Sequence, residues 1–148
     1  MKSRLSFKAI IIAIFAALVL LVSCTKEPNL KSQIVGSWQS EEFYSKLYFN
    51  GEYVGEVVDR SGDTAVKFTF NSDNTGVATV VLHSVAETSS MNWDLVENDL
   101  IVTHKDGSSF RFTVDSCTSD TLVLAIAGVE IDSETRLNCL ISFSKQYP

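Results

Sequence analysis

Val66-Lys67-Phe68-Thr69-Phe70-Asn71-Ser72-Asp73-Asn74-Thr75-Gly76 alternates apolar and polar side chains, then breaks on short oxygen-bearing residues and a glycine. Successive side chains of an extended chain point to opposite faces. This alternation therefore describes a strand with one face in a core and one in water, followed by a turn. The same period of two recurs at Met91-Asn92-Trp93-Asp94-Leu95 and at Phe110-Arg111-Phe112-Thr113-Val114. Turn chemistry separates the runs at Ser61-Gly62-Asp63, Glu97-Asn98-Asp99, Asp106-Gly107 and Ser119-Asp120. The Asp-Gly pair is the strongest of these, because the twist of a hairpin favours positive φ in its turn, which glycine adopts freely. We read strands over 36–43, 46–50, 52–59, 65–71, 76–84, 90–96, 100–105, 108–115, 121–127 and 134–144, some of them merging or breaking at bulges.

Eight to ten short strands joined by hairpins, without long crossovers, predict an all-β fold. An antiparallel up-and-down barrel fits better than a sandwich, and closure removes the exposed edges of an open sheet. Only 29–35 shows a helical pattern, with Leu30, Ile34 and Val35 on one side; this short helical turn is expected to cap one end of the barrel.

Ile34-Val35-Gly36-Ser37-Trp38 resembles the opening of lipocalin-like domains, where a helical turn leads into a first strand bearing Gly-x-Trp. Phe68 to Gly76 is similar to a hairpin these domains carry, and Trp93-Asp94-Leu95 followed by Leu100-Ile101-Val102 resembles their mid-barrel hairpin. The resemblance covers most of 34–143. It implies that Trp38 plugs the closed end, with a basic side chain near the last strand stacked on it. Arg136 stands at the start of that strand, which puts it at the open end, so the partner of Trp38 is left between Lys145 and Arg111.

The 148-residue chain opens with three basic residues, Lys2, Arg4 and Lys8, followed by an unbroken apolar run from Ala9 to Val22. That run is shorter than the roughly 20 residues a membrane-spanning helix needs, and 1–23 reads as a signal peptide. Leu21-Val22-Ser23-Cys24 resembles the bacterial lipobox. The resemblance implies lipid on the Cys24 thiol, cleavage after Ser23 and acylation of the new amine by a fatty acid such as palmitate. Residues 24–33 read as a lipid-anchored tether and 34–148 as the barrel domain. Thr25 is not the aspartate that, by resemblance to known sorting signals, retains lipoproteins at the inner membrane. The expected place is the outer membrane of a bacterial cell envelope, on its periplasmic or surface face; Lys26-Glu27 is similar to acidic signals for surface export.

All 18 acidic residues and nine of the 12 basic ones follow Ser23, so the segment after the leader carries a formal charge of −9. Such a surface repels phosphate backbones, and nucleic acid is not an expected partner. No cofactor motif is present. His83 and His104, each near a strand end, lack the spacing of a metal site. Asn71 to Gly76 matches the first half of a calcium loop, but Leu82 stands where the bidentate glutamate would be needed, and a hairpin turn fits better. No Gly-x-Ser-x-Gly elbow occurs. Glu41, Glu42, Glu52 and Glu56 read as a solvated acidic face, with a hydrolase using carboxylates at the barrel mouth as a minor reading.

Cys117 and Cys139 remain once Cys24 is lipidated, and an oxidising compartment permits a bridge between them. Strand parity opposes it; a disulfide and two separate apolar fillers both stay open. Phe68, Phe70, Trp93, Phe110 and Phe112 fall on inward faces, either as the lining of a ligand cavity or as a solid core. The expected function is a lipid-anchored lipocalin-like binding protein, not an enzyme, for a small apolar or amphiphilic ligand. The alternative is a filled-core interaction module presenting its acidic surface and loops to a protein or polysaccharide.

Overall fold

A computed structural model describes residues 29–148; the expected signal peptide over 1–23 and Cys24 lie outside the described residues. Asn29 caps helix α1 (Leu30–Ile34), its side chain accepting the Lys31 amide at 3.0 Å. The fold thus starts within the stretch expected to be tether. Nine strands follow: β1 (Gly36–Phe49), β2 (Glu52–Asp59), β3 (Thr64–Phe70), β4 (Thr75–Leu82), β5 (Val85–Val96), β6 (Asp99–His104), β7 (Ser109–Cys117), β8 (Thr121–Glu130) and β9 (Thr135–Gln146). From β3 to β9 each strand pairs antiparallel with the next, and β9 closes onto β1. Eight strands form the ring, and β2 stands outside it.

The two strands expected over 36–43 and 46–50 are one. A bulge between Ser40 and Glu42 absorbs the irregularity, so β1 runs on instead of breaking. One edge of β1 serves two neighbours in succession: Gly36 to Gln39 pair with β3, and Phe43 to Phe49 pair with β2. At the hand-over the Ser40 hydroxyl accepts the Val66 amide at 2.8 Å, satisfying a donor the ladder no longer reaches.

The turns reuse one device. In Asp59-Arg60-Ser61, Asp73-Asn74-Thr75 and Asp106-Gly107-Ser108 the aspartate Oδ1 accepts both the amide and the hydroxyl two residues on. These local bonds compete with extended structure and bend the chain. His83 and Ser84, read as strand, form the two-residue β4–β5 turn, both with positive φ (48° and 69°). That is the primed geometry a tight hairpin requires. β5 accordingly begins at Val85 rather than Ser90.

The core is the inward row of each strand. Trp38, Phe70, Leu100, Leu122, Leu124 and Phe143 are all but sealed from solvent, and Ile34 of α1 joins them.

Candidate functional site at the barrel mouth

The two ends of the barrel differ. At the closed end the Trp38 indole donates to the Ile34 carbonyl at 2.7 Å, tying the ring under α1. Lys145 Nζ lies 5.0 Å from the centre of that ring, so of the two basic partners left open the structure selects Lys145. Arg111 instead pairs with Asp99 and Arg136 with Glu130. The Trp93 indole donates to the Asn71 carbonyl at 3.0 Å, and Lys31, paired with Asp94 at 3.1 Å, also lies over the Trp93 ring. Asp94 is held below the usual carboxylate range by that lysine and by the Leu95 amide.

The lower lumen is full. Phe68 stands 5.3 Å from Phe70, 5.7 Å from Phe143 and 6.1 Å from Phe112, centroid to centroid. β3 and β7 are four strands apart in a ring of eight, so the Phe68–Phe112 contact spans the barrel from wall to wall. Aromatic rings at such distances leave no room for a ligand between them. Of the two readings left open for Phe68, Phe70, Trp93, Phe110 and Phe112, a solid core describes four of them and not the fifth. Phe68, Phe70, Trp93 and Phe112 are buried against core neighbours, whereas Phe110 is 46% exposed. Its inward parity is as read, since it pairs with Val102, but it stands near the start of β7, above the filled level.

Above that plug lies an open cleft of about 430 Å³, bordered by the inner faces of β4 to β7 and the β6–β7 turn. Ala78, Val80 and Phe110 supply apolar wall. Ser89 Oγ and His104 Nδ1 stand 2.9 Å apart, and the His104 ring meets Phe110 edge-on, 5.6 Å between centres. Glu87 adds a carboxylate and Lys105 an ammonium at the rim. Asp106 accepts from the Ser108 hydroxyl and amide, which lower its carboxyl below the usual range. Because Asp106 is turned to Ser108 and not to His104, Ser89 and His104 form a hydrogen-bonding pair, not an assembled catalytic triad. With Nδ1 engaged by Ser89, Nε2 is the ring atom left to meet a ligand.

Sequence reasoning missed Ser89, Glu87 and the inward role of His104. The signal was present: Trp93 and Met91 continue by twos to Ser89 and Glu87, and Leu100 and Val102 continue to His104. The acidic residues read as a solvated face are partly engaged on the outside of the barrel. Glu41 accepts from Ser144 at 2.5 Å, and Glu42 pairs with Arg60 at 2.5 Å. Glu56 is lowered by hydrogen bonding from Tyr44 and Tyr53.

Cys117 and Cys139 are free thiols. Cys117 pairs with Leu122, which pairs with Phe143, four residues along β9 from Cys139. That offset is roughly 13 Å at about 3.3 Å per residue, against the ~7 Å limit for bridged Cα atoms, so of the two alternatives left open the structure has two separate thiols.

The family model of the lipocalin-like domain matches residues 34–124. The chain belongs to the lipocalin-like domain family. A lipocalin-like barrel supports a binding role in general, and its wall here carries the cleft just described. Among solved structures, this lipocalin-like chain is similar to a lipocalin-like protein from Bacteroides uniformis, at 15% identity and a TM-score of 0.48, over 77% of this chain and 99% of the other. It is also similar to an uncharacterized protein from Bacteroides eggerthii, at 16% identity and a TM-score of 0.46, over 76% and 98% of the two chains. No curated protein matches it.

Proposed function

We propose that this lipocalin-like protein is an envelope lipoprotein that takes a small amphiphilic ligand into the barrel mouth. The observation that carries the reading is the cleft of about 430 Å³. It joins an apolar wall (Ala78, Val80, Phe110) to hydrogen-bonding groups (Ser89, His104, Glu87), the composition expected of a small-molecule site. The filled lower lumen limits the ligand to the upper barrel: an apolar portion against Phe110 and Val80, a polar group at His104 Nε2. Attachment through Cys24 would tether the chain five residues in sequence before Asn29, the cap of the helix at the closed end.

Titration with environment-sensitive amphiphilic probes tests the reading. Saturable binding by the parent, weakened about tenfold or more in Phe110→Ala and His104→Ala while both variants still unfold cooperatively with a stability loss of no more than about 1 kcal/mol, is the expected result. Absence of saturable binding would overturn it. The anchor is tested separately, by loss of fatty-acid labelling and release to the soluble fraction in Cys24→Ser. The filled-core interaction reading keeps one specific support, the wall-to-wall contact of Phe68 with Phe112. It expects no probe binding at all.

A further inference from the structure

The face of the molecule that this reading leaves unused is the outer edge of β2. β1 gives its edge first to β3 and then to β2, so β2 lies in line with β3, separated by Arg60 to Asp63. The far edge of β3 is covered by β4, but β4 ends at Leu82, opposite Thr64, the first residue of β3. Beyond that point no strand among the described residues lies beside β2, whose second edge is unpaired over Glu52–Asp59.

Strand edges are normally protected by lysine, proline, inward charge or a bulge. β2 has neither lysine nor proline. Its one irregularity, opposite Leu47 and Tyr48, is confined to the tip and leaves Gly55 to Asp59 in regular pairing. Tyr53, Val54, Val57 and Val58 are each 47–56% exposed, and Leu82, the last residue of β4 opposite Thr64, and Val85, the first of β5, are more than half exposed. An open backbone edge and apolar side chains on both faces thus coincide at one place. Concentrated apolar exposure of this kind marks an interaction site.

We infer that the β2 edge receives an extended strand of a partner protein that carries basic residues between apolar ones. An unpaired edge offers alternating N–H and C=O groups, which only another extended chain satisfies in register, and apolar neighbours take alternate side chains. The charge of the partner follows from the hairpin. Of the eight charged residues from Glu41 to Asp63, six are acidic, and the two basic ones face acids of their own: Arg60 pairs with Glu42, and Lys46 lies opposite Glu56. A second copy is disfavoured by the same charge: a two-fold pairing centred on Glu56 sets that glutamate against itself, like charges directly opposed.

The test uses the full chain purified in detergent and a labelled decapeptide alternating valine and lysine. Saturable binding, with new amide-exchange protection along Gly55 to Asp59, is expected. The exposed pair Val54→Lys with Val58→Lys should weaken it at least tenfold without moving the melting temperature. A peptide of equal charge with proline at every second apolar position should not bind. No saturable binding at millimolar peptide would overturn the inference. So would equal binding of the proline peptide, which would reduce the contact to surface charge, or a chain already dimeric with its β2 amides protected, which would give the edge to a second copy.

Discussion

Lys145 reaches Trp38 by crossing directly over Gly36: a Cβ built on Gly36 would stand 2.8 Å from Lys145 Cε, while Lys145 Nζ lies 5.0 Å from the Trp38 ring centre. Gly36 also has φ +132°, a conformation that L side chains rarely adopt. The glycine of Gly-x-Trp is thus needed twice, for its backbone and for the space that lets the lysine cover the ring.

A stability order follows. Trp38 is fully buried, so Trp38→Ala should cost about 3–5 kcal/mol. Gly36→Ala, strained at its φ, should cost about 1–3 kcal/mol. Lys145→Met loses only the cation above the ring, about 1 kcal/mol or less. Urea unfolding of the three variants measures this; a Lys145→Met loss equal to that of Trp38→Ala would show that the cation, not the buried ring, holds the closed end.

Gly76 makes an independent check on the β3–β4–β5 packing. A Cβ there would stand 2.2 Å from the Thr69 carbonyl oxygen and 2.8 Å from Met91 Cε. Because the first contact is backbone, relief requires moving a strand, and Gly76→Ala should destabilise by about 1–3 kcal/mol or more. A melting temperature within error of the parent would contradict the register Phe70–Gly76–Met91.

Plug and mouth should respond differently to the same substitution. Phe112→Ala empties part of the wall-to-wall contact with Phe68 and should cost about 3–5 kcal/mol. Phe110→Ala, at the half-exposed mouth, should cost no more than about 1 kcal/mol, well under the price of a buried ring. Equal losses would mean that the lumen is filled up to Phe110 and no cleft persists in solution.

Stability should hold a plateau and fall on both sides. Asp59, Asp73 and Asp106 are lowered from 3.8 by the Ser or Thr two residues on, so their contribution is present above that pH and is lost as pH drops through the lowered values. On the alkaline side, hydrogen bonding to Glu56 pushes the Tyr44 phenol from 10.0 up to about 12. The neutral phenol is favoured in the fold, so that contribution is intact below pH 10 and disappears as pH rises towards 12. Melting temperature against pH measures both limbs. Glu56→Gln should bring the Tyr44 absorbance titration back towards 10; an unmoved midpoint would assign the shift to burial alone.

In Cys24→Ser protein two thiols should titrate with an aromatic disulfide reagent, and reductant should leave the melting temperature unchanged. Cys117, its thiol raised by burial, should react slowly at neutral pH. A single or absent thiol would restore the bridge that the register of β7, β8 and β9 forbids.

Local properties of the chain were legible without coordinates. The period of two in Val66–Phe70, Met91–Leu95 and Phe110–Val114 reports which side chains share a face, because pleating enforces it residue by residue. Asp-x-Ser and Asp-x-Thr turns are equally local, being closed by hydrogen bonds two residues apart. The positions of most strands and the short helix before β1 follow from such signals, whereas the merging of 36–43 with 46–50 into one bulged strand does not. What stayed hidden is height along the barrel axis. Phe110 and Phe112 have the same parity and the same ring, yet one borders the mouth and the other meets Phe68 across the lumen.

The sequence by itself determined that the segment from Ile34 onward is an all-β, hairpin-linked barrel with a lipocalin-like opening, since alternation, turn chemistry and motif spacing are properties of neighbouring residues. Only the tertiary structure decided that Lys145 covers Trp38, that Cys117 and Cys139 stand apart, that the lower lumen is filled, and that β2 keeps an open edge. Those outcomes depend on register and on which strands meet around the ring. Both are set by the joint packing of residues as distant as Ser40, Val66 and Phe143, and no local window of sequence contains them.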